Sequence, residues 1–189
     1  MILRLAAFAL LFAVAAPAEE AADPAQPVRD LASAIGSLPQ PLTEAAVSVP
    51  IAEGFDLDAI AHVALGDRVA SASPEQIARL ARIYARRIAR ETLEAASGGP
   101  PQWRISETRP LDQGGWLVTT TAQLEPDEEP EALQWHVVET AARLRVVDVL
   151  KDGNSYVGQL RRQLQRALQT RPLDVVLGLM EERYGLAPP

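Results

Sequence analysis

Cysteine is absent from the 189-residue chain. That excludes disulfides, thiolate nucleophiles and thiolate-bound metals together, and also a lipid-modified cysteine behind a leader peptide. Aromatic residues make up 5% of the chain against 48% hydrophobic residues overall, so the core has to be built from aliphatic side chains. There are two histidines, His62 and His136, far apart in sequence. A metal site or a histidine dyad needs them to converge with carboxylates. No P-loop, dinucleotide fingerprint, H-E-x-x-H or G-x-S-x-G is present. Beyond the N-terminus no stretch approaches the ~20 apolar residues of a membrane span.

What is present begins at the N-terminus. Arg4 precedes an unbroken apolar run from Leu5 to Ala16, followed by Ala16-Pro17-Ala18 and Glu19-Glu20. A basic start, a short apolar run and an A-x-A site describe a secretory signal peptide, with cleavage expected after Ala18. The run is too short for an uncleaved anchor to span a bilayer comfortably. Removing residues 1–18 takes away one basic residue, Arg4, and leaves a net charge of −8. An exported acidic protein is a poor partner for nucleic acid, and it has to meet other molecules through local patches.

Residues 19–26 are small, acidic and Pro-containing, and read as a flexible leader before one domain over 27–186. Apolar positions 28, 31, 32, 35 and 38 predict a first amphipathic helix. Three prolines and a glycine in 39–54 predict a surface connection with at most one short helix. Residues 56–66 predict a compact helix with Asp56 as N-cap and Gly66 at its end. Ser73-Pro74-Glu75-Gln76 is a capping box with proline at the first helical position, opening a helix to about Ala96. After Pro101 the texture changes to two hairpins, 103–109 with 116–124 and 133–139 with 143–150, separated by the acidic loop 125–131. Helices follow at about 155–169 and 172–184. Helices, then an antiparallel sheet, then helices describe a single α+β domain. The expected form is a twisted antiparallel sheet of about four strands packed with amphipathic helices around an apolar cavity.

The chemistry in these elements admits bland and functional readings. His136 and Asp148 fall on paired strands and provide the basis for an exported small α+β enzyme, against a core histidine and a strand-end carboxylate. Ser155, in Asp152-Gly153-Asn154-Ser155, suits a helix N-cap better than a nucleophile. Arg79, Arg86 and Arg90 recur at i, i+7 and i+11, one exposed stripe that serves partner docking or is merely solvated. Neither composition nor periodicity decides whether the sheet and helices close a solid core or leave an apolar cavity.

Residues 55–93, FDLDAIAHVALGDRVASASPEQIARLARIYARRIARETL, carry a resemblance. Phe55-Asp56, Leu65-Gly66, Ser73-Pro74-Glu75-Gln76 and Tyr84 resemble the pattern of the MlaC, or toluene-tolerance, family of periplasmic auxiliary proteins. Asp148-Val149, Gly153-x-Ser155, the helix start at 159–164 and LDVVLGLM at 173–180 extend it over residues 27–182. The resemblance implies a monomeric periplasmic lipid carrier, not an enzyme, holding phospholipid acyl chains between sheet and helices. It needs no cofactor, and shuttles lipid between an outer-membrane lipoprotein complex and an inner-membrane ABC transporter. A related branch associated with hopanoid biosynthesis implies a lipid-binding accessory protein instead. The expected pocket lining is Phe55, Ile60, Leu80, Tyr84, Ile88, Val118, Trp135, Val137, Val146, Tyr156, Leu160, Leu164 and Val176. Gly153 and Ser155 are expected to turn the last strand into the helix that walls the pocket.

Overall fold

A computed structural model describes residues 22–95, 102–123, 131–140 and 143–186. The expected signal peptide, the expected end of the helix near Ala96 and most of the acidic loop lie outside the described residues.

Helix α1 (Gln26–Gly36) has Pro27 in its first turn and buries Pro27, Val28, Leu31 and Ile35 along one stripe. Order extends back into the expected leader. Ala25 is buried, and its N–H donates to the Asp23 carboxylate at 2.9 Å. Helix α2 (Glu44–Gly54) is the helix allowed for in the connection expected over 39–54, but it packs into the core instead of running over the surface. Thr43 caps it by accepting from the Ala46 N–H, and Val47, Pro50 and Ile51 are buried against the core. Pro50 removes one helical hydrogen bond. Its own burial, one turn from Val47, makes the proline part of the packed stripe instead of a stop.

Helix α3 (Leu57–Leu65) is capped as expected, with Asp56 accepting from the Ala59 N–H at 2.9 Å and Gly66 closing it at φ 56°. One 3-10 turn, Gly66–Ser71, leads to α4 (Pro74–Ala95). Both bonds of the capping box form there: Gln76 N–H to Ser73 Oγ, and Ser73 N–H to Gln76 Oε1. Leu80, Ile83, Tyr84 and Ile88 make its buried face.

Strands β1 (Gln102–Pro110), β2 (Trp116–Gln123), β3 (Glu131–Thr140), β4 (Arg143–Lys151) and the two-residue β5 (Asn154–Ser155) form an antiparallel meander in sequence order. The sheet has five strands, the fifth only two residues long, where about four were expected. In the first hairpin turn, Gly115 sits at φ 80°, and a Cβ there would lie 2.5 Å from the Val137 carbonyl oxygen, so glycine is required. Two bulges shift the register, one at 105/107 of β1 and one where His136 and Val137 of β3 face Asp148 and Val146 of β4. The second leaves Val147 as the extra residue of its strand. It switches the inward parity of β4, so that Val146 and then Val149 face the helices. Helices α5 (Tyr156–Ala167) and α6 (Leu173–Arg183) close the chain.

All the helices contribute to one core on a single face of the sheet. Phe55, between α2 and α3, is pinned to β4: the Asp56 N–H donates to the Val146 carbonyl at 2.9 Å and Arg145 donates to the Phe55 carbonyl at 3.0 Å. Among the described residues no helix is long and apolar enough to cross a membrane.

Candidate functional site

The strand-to-helix passage at 146–160 is organised by Asp148. One carboxylate oxygen accepts the Val149 and Val157 N–H groups, and the other accepts the Ser155 hydroxyl at 2.5 Å. Ser155 Oγ in turn accepts the Gly158 N–H at 2.8 Å, capping α5. Asp152 (φ 51°) and Gly153 (φ 73°) make the two-residue turn between Lys151 and Asn154. The expected elbow is thus a tight hairpin followed by a shared cap. It fixes the entry of α5 onto the sheet.

This arrangement also decides the expected dyad. His136 stands directly opposite Asp148 in the strand register, yet both Asp148 oxygens are taken by the cap, and His136 Nε2 is buried without a partner. The His136–Asp148 pair is not assembled as a catalytic unit. His62 lies on α3 with Nδ1 2.7 Å from the Asp58 carbonyl oxygen of the preceding turn. No group of three metal-ligating side chains occurs among the described residues.

An apolar cavity of about 450 Å³ lies between the sheet, the C-terminal half of α4 and the start of α5. Trp103, Leu133, Trp135 and Val149 supply its sheet wall, and Leu31, Ile51, Phe55, Ile88 and Tyr156 its helical walls. Trp135 is the pivot. Its ring lies 4.9 Å from that of Trp103 and 6.4 Å from Phe55, and its Nε1–H donates to buried Thr120 Oγ1 at 2.8 Å. The indole is therefore held rigidly with its only polar atom satisfied, leaving an apolar face to the cavity. Glu91, Glu131, Lys151, Asn154 and Gln159 form the polar part of its lining, with Lys151 bonded to both oxygens of Glu131 at 2.7 Å.

Four of the expected lining residues, Phe55, Ile88, Trp135 and Tyr156, reach this cavity. Ile60, Leu80, Tyr84, Val118, Val137, Val146, Leu160, Leu164 and Val176 do not; all are buried in the solid core behind it. Their apolar character points them inward, but inward here means toward neighbouring side chains. Trp103, Leu133 and Val149 were missed. A large apolar residue on a strand was a sufficient signal for the first two, while Val149 is turned inward only by the bulge.

A wider depression of about 910 Å³ opens between α1, the end of α2 and β4, but Asp23, Asp30, Glu53, Arg143 and Arg145 line it. Its charged lining suits water better than an apolar ligand.

The arginine stripe of α4 is neither free nor fully solvated. Arg79 makes a two-pronged pair with Glu181, at 2.9 and 2.7 Å, and touches Asp174. Arg86 lies 2.6 Å and Arg90 3.6 Å from Glu44 of α2. The expected exposed stripe is corrected: these side chains tie α4 to α2 and α6. Hydrogen bonding to Glu181 raises the Arg79 pKa, and the same contact lowers that of Glu181. Tyr84 and Tyr156 have buried hydroxyls without partners, and burial pushes both phenols well above the ordinary tyrosine value.

Fold and cavity together define a small α+β container: a meander sheet with helices on one face and an apolar hollow between them. The family model described as MlaC protein matches residues 33–182, and the chain belongs to the MlaC family. No curated protein matches the sequence. Among solved structures, the fold is similar to that of a phospholipid-binding protein from Ralstonia solanacearum determined in complex with a phospholipid. That match has a TM-score of 0.71 at 19% identity and covers 85% of this chain and 93% of the other.

Proposed function

We propose that the protein is a periplasmic lipid carrier. It takes up phospholipid acyl chains in the cavity beneath Trp103 and Trp135 and shuttles the lipid between an outer-membrane lipoprotein complex and an inner-membrane ABC transporter. The observation that carries the reading is that apolar cavity, in a member of this family. The phospholipid bound by the Ralstonia protein of the same fold supports it. So does the physical chemistry. Each buried methylene contributes about 0.8 kcal/mol, so an apolar hollow binds a chain with no catalytic group. At about 450 Å³ the hollow falls within the ~300–1,000 Å³ typical of small-molecule pockets. A diacyl lipid gains further room if α4 and α5 part or if its second chain lies along the mouth.

Solvent extraction of protein purified from its own envelope, with lipid quantified per chain, tests the reading. The carrier reading expects about one phospholipid per chain. Lipid-free protein that also fails to acquire lipid from vesicles overturns it.

A further inference from the structure

Next to the apolar cavity, between α4, α5 and the end of α6, lies a second cleft of about 660 Å³ lined by Arg87, Arg90, Arg166, Arg183, Glu91, Glu94, Gln163 and Tyr184. Glu91 belongs to both spaces. On α5, Gln159 lines the cavity while Gln163 and Arg166, one and two turns on, line the cleft. The boundary is built: the Arg87 guanidinium lies 5.6 Å from the centre of the Tyr156 ring, which itself walls the cavity. It also donates to Glu91 at 2.8 Å and to Gln163 at 2.8 Å. Arg90 and Arg183 both lie over the ring of Tyr184, at 5.2 and 6.0 Å. Arg166 and Arg183 are exposed, and among the described residues neither is paired with a carboxylate.

Four arginines against two glutamates form a positive cleft on a chain of net charge −7. Guanidinium groups bind phosphate oxygens in pairs, and Arg87 is held in place by its stack and two bonds before any ligand arrives.

We infer that the arginine cleft is the head-group subsite beside that cavity and selects lipids with a net anionic phosphate head group. The inference rests on the carrier reading above. An acyl chain in the cavity brings its glycerol end to Glu91 and Tyr156, and the phosphate then meets Arg87, Arg166 and Arg183. The exposed Lys151–Glu131 pair, also in the cavity lining, marks the competing exit.

The test incubates the full mature chain with vesicles of equal phosphatidylglycerol and phosphatidylcholine, matched in acyl chains, and reads the ratio of bound species by mass spectrometry. The expected result is an enrichment of phosphatidylglycerol of about fivefold, corresponding to ~1 kcal/mol at ~1.4 kcal/mol per tenfold. The ratio should fall toward one in Arg166→Glu with Arg183→Glu, and in the parent as salt is raised. It should hold in Arg109→Glu, an exposed charge reversal on β1 outside both the cavity and the cleft, while Lys151→Glu, in the cavity lining, probes the competing exit. Lipid bound in equal amounts by the parent overturns the inference and leaves the carrier reading intact. A ratio that responds to Lys151→Glu but not to the arginine variants also overturns it. So does saturable binding of inorganic phosphate, lost in the arginine variants, beside a lipid ratio of one: the cleft is then a free-anion site. No uptake of either lipid overturns the carrier reading and the inference with it.

Discussion

Replacing Leu133 by Asp places a carboxylate on the sheet wall of the cavity without touching the aromatic group at its base. Leu133 is half-buried and lines the hollow beside Trp135. An acyl chain of about fifteen methylenes gains ~12 kcal/mol of gross burial at ~0.8 kcal/mol each. Association and ordering costs of ~4–15 kcal/mol leave a modest net affinity. In the empty protein the new carboxylate is hydrated by water in the cavity. Entry of a chain strips that water at a cost of several kcal/mol, which exceeds the net gain. Leu133→Asp should therefore fold but hold lipid at less than a tenth of the parent level. Leu133→Asn, which is neutral, should lose less. Native mass spectrometry after incubation with vesicles gives the load, and thermal unfolding reports the fold. Parent-level lipid in a folded Leu133→Asp chain would refute the placement of the acyl chain.

Charge reversal at Arg86→Glu with Arg90→Glu sets two carboxylates against Glu44 and should cost on the order of 1–3 kcal/mol, read as a fall in Tm of about 2–4 °C per kcal/mol. The Glu181 carboxyl is held below its ordinary pKa by Arg79, so its contribution is present above the unfolded value of ~4.3 and is lost as pH falls through the folded value. Acid unfolding of Glu181→Gln should show a shallower pH dependence in that window. Tyr84 and Tyr156 ionise more readily once unfolded, so stability should decline as pH rises above ~10. Tyr84→Phe should flatten that decline at little or no cost near neutrality, because its hydroxyl has no partner to lose.

Local chemistry carried most of the fold in the sequence. The capping box at Ser73–Gln76, the Asp56 cap and the glycine turn at 112–115 each satisfy their backbone groups within a few residues, and each is legible for that reason. The packing of helix α2 into the core was not, because Pro50 reads as a breaker unless the burial of its ring is known. The two bulges were not, because an extra residue leaves no trace in a two-residue alternation. Their consequence reached the site: Val149 faces the cavity where an unbroken period places Asp148 and Leu150. The arginines of α4 align as their spacing requires, but only the packing of α2 and α6 supplies Glu44, Glu181 and Asp174. Inward-facing residues were recognised as such. Which of them border empty space depends on how far α4 and α5 stand apart, a property no single residue encodes.

The most direct test of the account is where an acyl chain lies in the loaded protein. A phospholipid carrying a photoreactive group midway along one chain can be loaded, cross-linked, and mapped by peptide mass spectrometry. The account predicts adducts on the cavity walls, at Ile88, Trp103, Leu133, Trp135 or Val149. Adducts concentrated in the open groove at Ala34, Pro50 and Leu144, or spread over the surface without saturation, would contradict it.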